Sequence, residues 1–263
     1  MISALPDAEI HRLMTGITPL ARDAGAEIMT YYKGDFDVRT KSDASPVTIA
    51  DEAAEAIIIA GLSHLTPDIP VIAEEAAAAG KFADVSAGRF WLVDPLDGTK
   101  EFVNNRAEFT VNIALIDNRQ PVLGVVYAPA LGVFYSAAGP GTATAQRGSA
   151  PAHPISARQM PATGAIVTVS RSHSDMEKIK ELMDVHSIED TKISGSSIKF
   201  CLVAEGIADI YPRYGPTHEW DTAAGHAVLA AAGGSVRSLD GAEMLYNKES
   251  FLNNEFIARG LDT

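Results

Sequence analysis

Two carboxylates three residues apart close an apolar segment in the stretch RFWLVDPLDGTKEF, where Asp94 and Asp97 are followed at once by Gly98 and Thr99. Taking one carboxylate out of water costs several kcal/mol unless it is paired or ligates a metal, and a second beside it adds repulsion. The pattern asks for a cation. Glu74 and Glu75 end the preceding apolar segment, IPVIAEE, so acids gather at the ends of two expected strands. Carboxylate oxygens suit Mg²⁺ or Mn²⁺, whereas zinc sites draw on spaced His and Cys, a set this sequence does not offer. Gly98 permits a tight backbone, and Thr99 opens a helical turn whose free N–H groups can receive an anion. A turn with an N-cap would account for either aspartate alone, but explains too little of the pair with Gly98 and Thr99 behind it.

Other segments carry further groups. In HEWDTAAGHAVLAAAGG, Asp221 precedes a small-residue helix and reads equally as an N-cap or a metal ligand. KSDASPVTIADEAAE puts Asp51 within or just before a first helical turn, where compensation of the helix dipole would suffice. The segments SRSHSD, GSSIK and YPRYG place His173, Ser196, Ser197, Lys199 and Arg213 near expected element ends, and Gly195 with the two serines makes an anion-friendly helix start. Taken alone, Lys199 and Arg213 read as ordinary surface charge, and His173 equally as a loop hydrogen-bonding group.

These groups need a scaffold. A chain of 263 residues that is 46% hydrophobic can bury a substantial core. Apolar residues from Ala8 to Lys33 recur at spacings of three and four (Ile10, Leu13, Met14, Ile17, Leu20, Ala24, Ile28), which predicts a long amphipathic helix, and a second is expected from about Ile49 to Leu65. IPVIAEE and RFWLVD read as strands, and EFTVNIALID, PVLGVVYAP and LGVFYSAAG as an antiparallel meander, with AEEAAAAGK and GPGTATAQRGSAP as loops. Beyond them the pattern alternates: strand GAIVTVS, helix SDMEKIKELM, strand TKIS, helix SSIKFCLVAEG, strand ADIYPRY, helix DTAAGHAVLAAAGG. Such alternation predicts an α/β second half. The formal net charge of -13 disfavours DNA, RNA and acidic membrane surfaces as partners. The lone Cys201 rules out an internal disulfide and fits an apolar core position. No signal sequence or membrane span is expected, and a cytoplasmic protein is.

The ordered segments SPVTIADEAAE, IAEE, WLVDPLDGTKEF and WDTAAGHAVLAAAGG resemble the inositol monophosphatase superfamily of magnesium-dependent, lithium-sensitive phosphatases. KSDASPVT, DPLDGTKEF, EFTVNIALI, GVVYAPA, SRSH, GSSIKFCLVAEG and YPRYGPTHEWDTAAGHAVL are similar to its bacterial bisphosphate nucleotidases. The resemblance spans nearly the whole chain. It implies an α+β fold, a layered α-β-α-β-α sandwich, with an N-terminal α+β half at residues 1–150 and a C-terminal α/β half at residues 151–263 carrying substrate recognition and Asp221. It implies that Glu74, Asp94, the Leu96 carbonyl, Asp97 and Asp221 hold two to three Mg²⁺ ions, with Mn²⁺ as a substitute and Glu75 as the looser assignment beside Glu74. Asp51 would act through water and, with Thr99, take the proton of an attacking water, with Glu74 also in the catalytic set and no phosphoenzyme. Gly98, Thr99, His173, Gly195, Ser196, Ser197, Lys199, Arg213 and Asp221 would bind the substrate.

On that reading three ions would set about +6 against about -5 from the five acids, leaving a small positive sum for an incoming phosphate. The expected reaction is release of the 3'-phosphate of adenosine 3',5'-bisphosphate, with its sulfated analogue as a second substrate. The partner is a small phosphorylated nucleotide, the chain a monomer or homodimer, and any membrane association peripheral, on the cytoplasmic face of the inner membrane. Two rivals stand beside this reading. One is an inositol or sugar phosphatase, although Lys100-Glu101-Phe102 follows the Asp-Gly-Thr here, where many inositol phosphatases have Asn-Phe. The other is a noncatalytic, magnesium-dependent sensor of phosphorylated metabolites.

Overall fold

The computed structural model describes residues 5–34, 38–40, 46–171, 177–179, 181 and 187–261. Helix α1 (Asp7–Tyr31) buries Leu13, Ile17, Ala21, Ala24 and Ile28, the three-and-four stripe expected of it. A short antiparallel pair, β1 (Val38–Thr40) and β2 (Pro46–Thr48), leads directly into α2 (Ile49–Leu65), which packs beside α1.

Then comes β3 (Val71–Ala73), the one-turn-plus helix α3 (Glu74–Ala78), β4 (Arg89–Asp97) and a second short helix, α4 (Thr99–Val103). Strands β5 (Thr110–Asp117), β6 (Gln120–Ala128), β7 (Val133–Ala137), β8 (Thr144–Arg147) and β9 (His153–Pro154) complete a seven-stranded sheet in the order β3-β4-β5-β6-β7-β8-β9. Only β3 and β4 run parallel in it, and every other neighbouring pair is antiparallel. The expected meander is therefore present and longer than predicted.

Successive residues of β4 serve opposite faces. Trp91 and Val93 join the core beneath α1 and α2, while Phe90 and Leu92 join a second core shared with the C-terminal half. A strand covered on both sides reads as a continuous apolar run, which is what the sequence shows.

The second half supplies β10 (Ala165–Val169), β11 (Ile188–Ile193), α5 (Ile198–Ala204), β12 (Ile210–Arg213), β13 (Thr217–His218), α6 (Ala223–Ala231), β14 (Ser235–Ser238), β15 (Leu252–Asn253) and β16 (Phe256–Arg259). A five-stranded sheet, ordered β11-β10-β12-β16-β14, is parallel across β11, β10 and β12 and antiparallel at β16 and β14. β13 and β15 form a separate two-stranded pair. Helices α5 and α6 lie between the two sheets, with Phe200, Ala224 and Val228 packed with Leu92, Ala114 and Val126 of the first. Helical Ile179 packs on Ala165, Val167 and Ile210 of the second sheet. The layers run α-β-α-β-α, in the architecture expected.

Local expectations differ in four places. AEEAAAAGK, read as a loop, contains α3, because a run of alanines favours helix once it has left the sheet. GPGTATAQRGSAP, also read as a loop, contains β8, whose one buried residue is the small Ala145, with little strand signature. β4 continues through Pro95 to Asp97 instead of ending at Asp94. β11 begins at Ile188, ahead of the expected TKIS. Among the described residues no helix is long and apolar enough to cross a membrane.

Candidate active site

Parallel pairing does the first work. The register Val71↔Trp91, Ile72↔Leu92, Ala73↔Val93 leaves Glu74 beside Asp94 where the two strands end. Glu55 of α2 fixes this start of α3, accepting the N–H groups of Glu75 at 2.7 Å and Ala76 at 2.9 Å. Opposite β5, Asp94 faces Asn112 and Asp97 faces Thr110, so β4 carries one residue more than its partner between these pairs. Such a bulge re-aims side chains. Here it lets the Leu96 N–H donate to Asp94 Oδ1 at 3.0 Å while the Leu96 carbonyl comes within 3.2 Å of Thr99 Oγ1.

Gly98 then turns the chain with φ +94°, and a Cβ there would lie 3.1 Å from the Glu108 carbonyl oxygen. Both facts favour glycine at this position. Thr99, the first residue of α4, donates its hydroxyl toward Asp51 Oδ1 at 3.1 Å. Asp51 itself closes a capping box on α2: its Oδ2 accepts the Thr48 N–H at 2.8 Å and the Thr48 hydroxyl at 2.6 Å. It thus caps its own helix and holds the Thr99 hydroxyl as well. Burial pushes its carboxyl above the usual carboxylate range.

Asp97 reaches across to the second half. Its Oδ2 accepts the Ser197 N–H at 2.6 Å, with Asn112 Nδ2 at 3.5 Å, and the Ser197 hydroxyl bonds Asn112 Oδ1 at 2.8 Å. The helix start at Gly195, Ser196 and Ser197 therefore already meets a carboxylate. Asp221 is not the cap of α6, because Thr222 occupies that position and Asp221 Oδ2 turns back to accept the His218 N–H at 2.8 Å.

Burial and mutual repulsion raise the Asp94 and Asp221 carboxyls well above their ordinary range, with Asp97 and Glu74 among the repelling neighbours of both. Asp97 is pushed up to about 6, first by burial, against the pull of the Lys199 ammonium. Oxygen donors crowded in this way are the chemistry a divalent cation satisfies, so the residues fit Mg²⁺. Among the described residues no three His, Cys, Asp or Glu side chains converge into a ready cage.

Glu74, Asp94, Leu96, Asp97, Gly98, Thr99, Gly195, Ser196, Ser197, Lys199, Arg213 and Asp221 all line one cavity of about 610 Å³. Asp51 stands behind Thr99. His173 lies outside the described residues. Burial pushes the Lys199 ammonium down to about 8, and its Nζ donates to the Ser194 and Ser196 carbonyls above the Tyr211 ring. Arg213 donates to the Gly215 and Pro216 carbonyls and to Ser170 Oγ.

Sequence reasoning did not single out Asn112, Glu55, Arg171 or His218. Thr48 had a signal in the capping spacing of Thr48 and Asp51. His218 stacks on Trp220 with ring centroids 4.6 Å apart at the cavity wall. It lies in β13, whose pairing with β15 no local pattern announces.

The profile of the Inositol monophosphatase family matches residues 10–261. The 3'(2'),5'-bisphosphate nucleotidase CysQ of Escherichia coli K12 is 49% identical over 251 residues, covering 93% of this chain and 98% of that protein. The protein of the same name from Haemophilus influenzae is 30% identical, covering 94% and 93%. The crystal structure of CysQ from Bacteroides thetaiotaomicron superposes with a TM-score of 0.79 at 37% identity, covering 95% of this chain and 97% of that one. An inositol monophosphatase from Anabaena gives 0.75 at 25% identity, with 96% and 92% covered. Agreement that runs from the first helix to the last strand, in sequence and in fold alike, makes this chain a member of the inositol monophosphatase family.

Proposed function

We propose that the chain is a magnesium-dependent 3'(2'),5'-bisphosphate nucleotidase. It releases the 3'-phosphate of adenosine 3',5'-bisphosphate to leave AMP, and acts on the sulfated analogue in the same way, a role in sulfur assimilation. The observation that carries this is the Thr99–Asp51 hydrogen bond of 3.1 Å at the edge of the crowded acids Glu74, Asp94, Asp97 and Asp221. A pure sensor has no need of a hydroxyl held on a buried carboxylate. Relatives up to 49% identical that carry the nucleotidase name support the substrate class. Phosphatases of this family depend on a metal, typically Mg²⁺.

Residues 1–150 supply most of the acids, and residues 151–263 supply recognition and Asp221. Glu74, Asp94, Asp97, Asp221 and the Leu96 carbonyl would hold two to three Mg²⁺ ions, a donor set that Mn²⁺ also suits. The metal, when bound, neutralises the phosphoryl group, activates water and stabilises the leaving oxygen. Thr99 Oγ1 accepts a proton from the attacking water and passes its own to Asp51 Oδ1. Burial raises the proton affinity of Asp51 and so suits it to that task. The start of α4, behind Gly98, lines the cavity, and its first N–H groups would receive the phosphate. Lys199, fixed by backbone carbonyls, adds positive charge to the wall. Gly195, Ser196, Ser197, Arg213 and His173 complete the substrate set.

A phosphate-release panel tests the reading. Adenosine 3',5'-bisphosphate, AMP, inositol 1-phosphate and fructose 1,6-bisphosphate are compared with Mg²⁺ and with chelator. We expect preference for the nucleoside bisphosphate and no turnover in chelator. A preference for inositol 1-phosphate would favour the inositol phosphatase rival, and no release from any substrate would favour the sensor.

A further inference from the structure

Glu219 stands two residues before Asp221 but does not share its cavity. It is fully buried, where a carboxylate is unfavourable unless it is both paired and hydrogen-bonded. Three donors from two consecutive residues meet it: the Asn247 N–H at 2.8 Å, the Lys248 N–H at 3.0 Å and the Lys248 ammonium at 2.7 Å. Lys248 Nζ also donates to the Leu245 carbonyl.

The backbone of Glu219 is tied down as firmly as its side chain. Its N–H donates to the Phe251 carbonyl at 2.8 Å. Its own carbonyl accepts the N–H groups of Thr222 at 3.2 Å and Ala223 at 3.0 Å, and the Thr222 hydroxyl at 3.2 Å. Asp221 lies inside that ring of bonds, with Oδ2 on the His218 N–H. Asn253 Nδ2 closes the other side of the turn, donating to the His218 carbonyl at 2.7 Å and to the hydroxyls of Thr217 and Thr222 at 3.1 Å. The turn that carries Asp221 thus hangs from residues 247–253.

That partner segment is shaped for the contact. Asn247 and Phe251 hold φ of +62° and +53°, a left-handed conformation that asparagine tolerates and a bulky aromatic residue rarely adopts. Each gives its backbone to Glu219, Asn247 through its N–H and Phe251 through its carbonyl. Backbone of this kind persists only where its surroundings over-determine it, and it gathers at functional sites. An apolar pair of similar volume would fill the space without burying charge. What the ion pair supplies instead is direction, since one carboxylate met by three donors fixes the turn behind it.

We infer that the Glu219–Lys248 ion pair sets the position of Asp221 for its metal ion, which makes residues 247–251 part of the catalytic centre although none of them lines the cavity. Glu219 and Lys248 are positioning residues that meet neither ion nor substrate and act through the 218–222 turn. The inference rests on Asp221 as a metal ligand and extends the centre beyond the ligands themselves.

Calorimetric Mg²⁺ titration of the full chain, beside thermal melts in chelator, tests it. Lys248→Met should raise the apparent Mg²⁺ dissociation constant about tenfold to a hundredfold, the usual effect of removing a group that orients a ligand. Because that variant leaves a buried carboxylate without its cation, the double variant Glu219→Gln, Lys248→Met is measured too. It should melt above Lys248→Met and still bind Mg²⁺ about tenfold or more weakly than wild type. Arg158→Met breaks a different ion pair, with buried Asp209 at the opposite end of β12 from the cavity. It should lower the melting temperature and leave the Mg²⁺ constant within about threefold of wild type. Wild-type Mg²⁺ affinity in either Lys248 variant, or an equal loss in Arg158→Met, would overturn the inference alone. A wild type that binds no Mg²⁺, or an Asp221→Asn variant that binds it undiminished, would overturn the metal reading and the inference with it.

Discussion

Asp51 serves two structures with one carboxylate, Oδ2 on the Thr48 cap and Oδ1 on the Thr99 hydroxyl. Its two roles separate experimentally. Asp51→Asn should lower kcat at least ~10²-fold through the proton relay and reduce stability by about 1 kcal/mol through the cap. Thr99→Val should lose the turnover alone, which activity assays beside thermal melts would distinguish. Asp94→Asn or Asp97→Asn should cost at least ~10²-fold in kcat and weaken Mg²⁺ binding measured by calorimetry; full activity in either variant would remove the metal from the mechanism. The acids were legible in the sequence because carboxylates at the ends of buried strands are improbable without a purpose. Lys248 was not. The settings of Lys199 and Arg213 were not either, because the Ser194, Ser196, Gly215 and Pro216 carbonyls reach their head groups only in the folded chain.

The helices and central strands were read from periodicity, since α1, β5 and β6 each carry the apolar pattern their burial requires. Elements whose stability comes from neighbours were missed or misplaced. β11 is an edge strand with exposed positions along most of its length, so it shows no apolar alternation. The β4 bulge hides behind Pro95, a residue that normally ends a strand, and only pairing with β5 shows the strand resuming at Asp97. Close helix packing also bears on the site. A Cβ on Gly225 of α6 would fall 2.6 Å from Phe200 Cδ2 and 2.8 Å from Phe200 Cβ on α5. Gly225→Ala should therefore destabilise the protein by about 1–3 kcal/mol. It should also depress activity, because the displaced helix begins two residues after Asp221. A denaturant titration beside a kinetic assay checks both, and an unchanged midpoint would mean that α5 and α6 have slack here.

For the whole molecule, acidity and metal binding are linked. A carboxyl raised in the folded state, as Asp97 is to about 6, holds a proton more firmly than the same group in an unfolded chain, near 3.9. Its contribution to stability is present at low pH and is lost as pH rises through about 6. In chelator the crowded acids should thus lower the melting temperature from pH 5 to pH 8. Added Mg²⁺ should reverse this, with a gain that is largest near pH 8 and shrinks below about 6 as protons take the place of the ion. His226 works the other way. Burial pushes its imidazole down to about 4, so folding loses support as pH falls from about 6.5 toward 4, by up to about 1.4 kcal/mol per pH unit. Melts of His226→Gln in the presence of Mg²⁺ should be flatter across that window. The 2.6 Å bond from the Ser197 N–H to Asp97 has a reach beyond the metal site, because it ties a β4 residue to the backbone that leads into α5. A chain severed within the exposed residues 147–154 would leave Asp94 and Asp97 on one fragment and Asp221 on the other. Neither fragment would own a working centre, so phosphate release would report their meeting, and the enzyme would become a split sensor for any two proteins fused to its pieces.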